Sequence, residues 1–231
     1  MLQKTCLGLC LLLLAASAEA AAPPVAVSLY METFCPGCQQ LFSKQIYPTW
    51  AKLNSTGILA VDIVPYGNAK EKQQGNKWVF TCQHGTKECV GNQIETCAIK
   101  LLGRPTLWLP YLHCIEGQLA NGSRDIMQVA KDCAENAQPR INFDDISRCS
   151  LSDQGNQWQH EMALRTEALN PPHKYVPWVT VNGVHTVNIQ YEVENDLLNL
   201  VCKTYSGPKP KECTAFDVAA SSRCPRNKTD N

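Results

Sequence analysis

Two cysteines separated by two residues, Cys35-Pro36-Gly37-Cys38, are the side chains of this sequence best suited to chemistry. In thiol–disulfide exchange a thiolate attacks a disulfide sulfur, and a second thiol within reach resolves the mixed disulfide. A CxxC at the start of a helix meets both demands. Unpaired backbone N–H groups and the helix dipole stabilise the anion on the first sulfur, and the spacing brings the second alongside. Cys35 is therefore the candidate nucleophile and Cys38 the candidate resolving thiol. Pro36-Gly37 adds no cation, so the helix terminus has to supply the pKa depression. Two plainer readings stand beside this one, a closed structural disulfide and half of a zinc site. Zinc takes four ligands, and the next pair, Cys82 and Cys89, lacks knuckle spacing.

The elements that would position this motif can be read from the pattern around it. Residues 25–31 (VAVSLYM) are β-branched and aromatic and read as a buried strand running into Glu32-Thr33-Phe34-Cys35. Pro36 suits the first turn of a helix. Residues 38–53 carry Leu41, Phe42, Ile46 and Trp50 at helical spacing, with Pro48 expected to kink or end that helix. Residues 58–66 read as a second strand. A cysteine-bearing stretch at about 68–154 holds short helical segments at 92–102, 124–137 and 144–151, punctuated by Gly103, Pro105, Pro110, Gly122 and Pro139. An amphipathic helix at 158–169 stops at Asn170-Pro171-Pro172. A proline-led strand at 175–181 then meets Asn182-Gly183, a hairpin signal predicting a partner strand at 184–189, and a helix at 192–205 closes the pattern. The order is that of an α/β, thioredoxin-like domain with a helical, disulfide-stapled insertion. It predicts that Val176–Pro177 is cis and lies beside Cys35.

Composition bounds the compartment and the partners. Lys plus Arg equals Asp plus Glu, 21 each, so no overall field recruits nucleic acid or an anionic membrane. Lys4, an apolar run at 7–16 and Ala18-Glu19-Ala20 read as a cleaved signal peptide over 1–20, with a signal anchor as the competing reading. Nothing downstream reaches the ~18 apolar residues of a membrane span. Sequons at Asn54, Asn121 and Asn227 read as glycosylation sites. Thirteen cysteines, two of them in the leader, suit an oxidising lumen. Apart from Cys35 and Cys38 these are Cys82, Cys89, Cys97, Cys114, Cys133, Cys149, Cys202, Cys213 and Cys224, an odd number with no pairing readable from sequence. Cys224 is the expected spare, and it would permit a disulfide-linked precursor dimer. Residues 21–205 form the expected domain, and 206–231 a polar tail.

The second cluster reads Cys82-Gln83-His84-Gly85-Thr86-Lys87-Glu88-Cys89-Val90-Gly91-Asn92-Gln93-Ile94-Glu95-Thr96-Cys97. On its residues alone it is a stapled loop entering a helix, with His84 either a proton carrier or simply solvated. Asp144-Asp145 reads as a helix start. As a string, CQHG-x2-EC-x2-N-x4-C resembles the signature of the gamma-interferon-inducible lysosomal thiol reductase (GILT) family at every fixed position. The CxxC, the Val-Pro-Trp strand and the leader extend the resemblance across most of the chain.

That resemblance implies a soluble, glycosylated lysosomal enzyme, also secreted, that reduces disulfides of endocytosed, partly unfolded proteins at acid pH. It implies a role in preparing antigens for class II presentation and trimming at both ends, so that the tail is a candidate propeptide. Cys35 and Cys38 become the catalytic pair. Cys82, Gln83, His84, Gly85, Glu88, Cys89, Asn92 and Cys97 become structural. No cofactor or metal is expected, and an external small thiol is the electron donor. An ordinary thiol, pKa ~8.5, would be almost wholly protonated there, so Cys35 is expected to ionise at strongly lowered pH. Two alternatives remain at this point: a secretory-pathway oxidase or isomerase, and a non-catalytic disulfide-rich binding module.

Overall fold

A computed structural model describes residues 22–214. The predicted signal peptide, Cys224 and Asn227 lie outside these residues. A three-stranded sheet of order β2-β1-β5 carries the fold: β1 (Val25–Met31) lies parallel to β2 (Leu59–Pro65) and antiparallel to β5 (Trp178–Val181). Toward its C-terminal end both faces of β1 are covered. Val25, Val27, Leu29 and Met31 enter the main core, while Tyr30 joins Val64, Tyr66, Met162 and Trp178 on the other side.

From the end of β1 the chain turns into α1 (Pro36–Leu41), a π-helical turn (Phe42–Ile46) and α2 (Tyr47–Leu53). Pro48 does not end this helix. The wider turn, in which the Tyr47 N–H bonds to the Phe42 carbonyl, absorbs the missing donor, and Pro48 starts the next regular segment.

The region between β2 and the later half-domain is not wholly helical as expected. It opens with an exposed hairpin, β3 (Lys70–Gln74) and β4 (Lys77–Thr81), turned at Gly75. Asn156 fastens it, its Nδ2 donating to the Trp78 carbonyl at 2.7 Å and its Oδ1 accepting from the Trp78 N–H at 2.9 Å. Four helices follow: α3 (Thr86–Leu102), α4 (Pro105–Ala120), α5 (Ile126–Asn136) and α6 (Phe143–Ser150). The helix α4 contradicts the use of Pro105 and Pro110 as breakers. Pro105 occupies the first turn, where it costs no bond. Pro110 is held inside by a buried face of Trp108, Leu109, Tyr111, Leu112, Ile115 and Leu119.

Disulfides Cys82–Cys89, Cys97–Cys149, Cys114–Cys133 and Cys202–Cys213 staple the chain. Cys35 and Cys38 are free thiols. The last pair ties residues beyond 205, the expected end of the domain, back to Cys202.

After α7 (Asp153–Glu167) and β5, the Asn182-Gly183 turn forms, with φ of 50° and 78°, but the predicted strand at 184–189 does not. A single bridge joins Val181 to Val184. The chain is then captured locally: His185 stacks on Trp178 with its Nδ1 2.8 Å from the Val179 carbonyl, and the Thr186 hydroxyl caps α8 (Val187–Thr204). Among the described glycines the closest approach is at Gly155 of α7, where an added Cβ would lie 2.0 Å from the Cys149 carbonyl oxygen. Gly155→Ala is expected to destabilise the protein by about 3 kcal/mol, read as a lower denaturant midpoint, through overpacking against backbone that cannot retreat. An unchanged midpoint would contradict this packing.

Candidate active site

The sequence places Cys35 where β1 gives way to α1, and its extended backbone (φ −77°, ψ 115°) makes it the N-cap. Its Sγ accepts a hydrogen bond from the Cys38 N–H at 3.3 Å and lies 3.8 Å from the Val176 carbonyl. Val176–Pro177 is cis, as predicted, and Pro177 Cδ would stand 3.2 Å from a Cβ at Gly37. A side chain at residue 37 would therefore press on Pro177.

The two sulfurs are electrostatically unlike. The Cys35 thiol is lowered to about 7, chiefly by the hydrogen bond from Cys38, against the cost of burial, with further help from the Cys38 and Gly37 N–H groups and the charge of His84. Burial pushes Cys38 up, as do its hydrogen bond to Cys35 and the Cys35 charge. The depression falls short of the expectation drawn from an acid compartment. At pH ~5, a thiol of pKa about 7 is about one part in a hundred thiolate, against far less for an ordinary cysteine.

The turn at 32–35 must satisfy its own backbone, and the second cluster does this. Asn92 Oδ1 accepts from the Thr33 N–H at 3.0 Å and from its hydroxyl at 2.7 Å, and Gln39 Nε2 donates to the Thr33 carbonyl at 2.9 Å. Gly91 lets α3 approach this closely, since a Cβ there would lie 2.7 Å from Thr33 Cγ2. Buried Glu32 accepts from the Asn68 N–H at 2.8 Å and rests on Gly67. The ring of His84 lies between carboxylates, hydrogen-bonded through Nδ1 to Glu88 and 3.6 Å from Glu32 Oε1. Glu88 also accepts from the His84 N–H at 3.1 Å, while Gly85, at φ 89°, starts α3. Gln83 accepts from Asn68 Nδ2 at 2.7 Å. The signature is thus part of the wall of the CxxC turn, except for Cys97, which is committed to Cys149. Asn54 and Asn121 are exposed at helix ends and take no part in the site.

Several buried acids went unnoticed in the sequence. Burial raises Glu32 to about 7, offset in part by the bond from Asn68. Glu95 of α3 and Glu116 of α4 are fully buried beside each other, both pushed up first by burial, and none of their four oxygens has another partner. Among the described residues Glu32, His84 and Glu88 also bring one ligand atom each within 4.8 Å of one another. A cation there would have to displace the proton between His84 and Glu88.

The profile of the family described as "Gamma interferon inducible lysosomal thiol reductase (GILT)" matches residues 26–137. A Carassius auratus protein named gamma-interferon-inducible lysosomal thiol reductase is 43% identical over 192 residues, 83% of this chain and 73% of its own. The chain belongs to the GILT family. The Mus musculus protein of the same name is 35% identical over 195 residues, 84% of this chain and 73% of its own. DsbA of Chlamydia trachomatis superposes with a TM-score of 0.53 at 17% identity, covering 77% of this chain and 88% of its own. MdbA, a thiol-disulfide oxidoreductase from Corynebacterium diphtheriae, gives 0.51 at 14%, with 79% and 85% covered. These likenesses establish the thioredoxin-like fold, and the GILT relatives make the protein a disulfide reductase. Among the described residues no helix is long and apolar enough to cross a membrane.

The raised acids set the sign of the pH dependence. Glu32, Glu95 and Glu116 hold their protons more tightly folded than unfolded (~4.3), so their stabilising contribution is complete below that value and lost as pH rises, toward about 7 for Glu32 and Glu95. His84, which burial would lower but Glu88 and Glu32 raise, acts in the same sense. His113 and His173, both lowered by burial, oppose it in part as pH falls, and Cys35 opposes it only above about pH 7. The reduced protein is expected to melt at a higher temperature at pH 5 than at pH 7, with a smaller difference in Glu32→Gln. A melting temperature that climbs over this interval would contradict the assignment.

Proposed function

We propose that this GILT-family reductase acts through Cys35 and Cys38 on disulfides of partly unfolded, endocytosed proteins in the lysosome. Two unpaired thiols at a helix N-terminus, the first lowered and the second raised, carry the reading. The Cys35 thiolate attacks one substrate sulfur, forming a mixed disulfide and expelling the other sulfur, which takes up a proton. Cys38 then gives up its proton and attacks Cys35 Sγ, which releases the second substrate thiol and leaves a Cys35–Cys38 disulfide. A small external thiol returns the pair to the reduced state, with no resident cofactor. Glu32, His84 and Asn92 act as positioning residues, and Pro177 closes the site opposite Gly37.

The lysosomal names of the relatives, the acid-favouring buried carboxyls and the leader at 1–20 support this location, reached through the secretory pathway with some protein secreted. In this reading Asn54, Asn121 and Asn227 are glycosylated, the polar segment beyond Thr214 is removed as a propeptide, and Cys224 links precursor dimers. Opening substrate disulfides would help antigens unfold for class II presentation.

Cys35→Ser is expected to abolish insulin reduction at pH 5, while Cys38→Ser accumulates mixed disulfides with substrate. Retained turnover in Cys35→Ser would exclude the mechanism. Alkylation of Cys35 by iodoacetamide should rise with pH to a midpoint near 7. Cys38→Ala should move that midpoint upward by removing its largest lowering influence, and His84→Gln should move it less far in the same direction. A wild-type midpoint above pH 8 would contradict the site electrostatics.

A further inference from the structure

Two clefts flank Cys35. On the Pro177 side, about 260 Å³ is lined by Gly37, Gln40, Leu41, Lys44, Pro177 and Glu194, so its charges are mixed. On the other side, about 270 Å³ is lined by Phe34, Pro36, His84, Lys87 and Arg124, and every charged group in that lining is cationic. Phe34 and Pro36 are the chain neighbours of Cys35, and the charge of His84 acts on its thiol, so this second cleft adjoins the reactive turn.

Its two long cations, Lys87 and Arg124, are not committed elsewhere, whereas His84 is bonded to Glu88. Lys77, Lys100, Arg148, Arg165 and Lys203 each pair with a carboxylate. Lys87 and Arg124 have no such partner among the described residues. The Arg124 guanidinium instead lies 5.6 Å from the centre of the Phe34 ring, which holds it over the cleft. Lys87 stands in the first turn of α3, where the backbone dipole adds positive potential. None of the nearby acids is in that lining: Glu32 and Glu88 are buried and engage His84, and Asp125, beside Arg124, caps α5 by accepting from the Gln128 N–H at 3.2 Å.

We propose that the Phe34–Pro36–His84–Lys87–Arg124 cleft is a carboxylate subsite, holding an acidic group attached close to the sulfur that exchanges with Cys35. The inference rests on Cys35 being the nucleophile. It assigns a preferred class of reactant: disulfides flanked by Asp or Glu, or acidic small thiols. The chemistry suits an acid medium, because ordinary carboxylates of pKa ~4 stay mostly ionised at pH ~5 while a histidine there is cationic. A cationic reactant would be repelled.

Two arms separate substrate from donor. In the first, pre-reduced protein without donor is mixed at pH 5 with three peptide disulfides that differ only in Glu, Gln or Lys beside the cystine. In the second, oxidised protein is reduced by 3-mercaptopropionate, 2-mercaptoethanol or cysteamine, compared at equal thiolate concentration. Wild type should favour the anionic member, and the preference should shrink in high salt. K87Q/R124Q should lose about fivefold on the anionic member and under twofold on the neutral one. K87E/R124E should invert the order. Selectivity in the first arm alone makes the ligand a substrate side chain, and in the second alone the donor.

Equal rates for all members in both arms, or variants that slow every member alike, would overturn the subsite. If pre-reduced wild type fails even on the neutral peptide, the thiol chemistry falls and the subsite with it. That outcome is distinct from a loss of charge preference alone.

Discussion

The bond from Thr33 to Asn92 joins two parts of the chain that would otherwise be independent. A strand that becomes a helix within four residues leaves its turning backbone short of partners, and a buried unpaired N–H is costly. Here the partner comes from α3, 59 residues further on, where one amide oxygen receives both the N–H and the hydroxyl of Thr33. The position of Cys35 therefore depends on α3 being seated, and α3 is seated only because residue 91 has no side chain. The insertion is a wall of the reactive turn as well as a cover on the domain.

This dependence explains why the signature and the CxxC occur together in one sequence although they are far apart along it. Cys82–Cys89 fixes the loop that presents His84, Gly85 starts the helix, Glu88 holds the imidazole, and Asn92 holds the turn. The same wall brings acids close to a thiolate. A carboxyl that must stay dry keeps its proton, and so adds no second negative charge beside the first.

The features legible in the sequence were those with short-range signals. The strand ahead of Cys35, the proline opening α1 and the cis proline before β5 follow from local pattern and element order. The hairpin at 70–81 was missed because its strands face water and show no apolar alternation, although Gly75-Asn76 is a usable turn signal. Helix α4 was missed because Pro110 reads as a breaker unless one knows that its face is buried. Asn182-Gly183 did make its turn, but side chains at 185 and 186 captured the backbone before a strand could pair. Glu95 and Glu116 gave no sign at all, since an acid on a helix ordinarily faces solvent. Cysteine pairing depended on helix packing and so had to wait for the fold.

The disulfide framework differs in shelter from one bridge to the next. Cys97–Cys149 and Cys202–Cys213 are buried at both ends, and Cys114–Cys133 at one. Cys82–Cys89 alone among the described pairs has neither residue buried, and it closes a loop of only seven positions. A protein that trades electrons with its surroundings is bathed in the reagent that dissolves its own cross-links. Corrosion would begin at that loop, and the first group it loosened would be the imidazole next to the reactive sulfur.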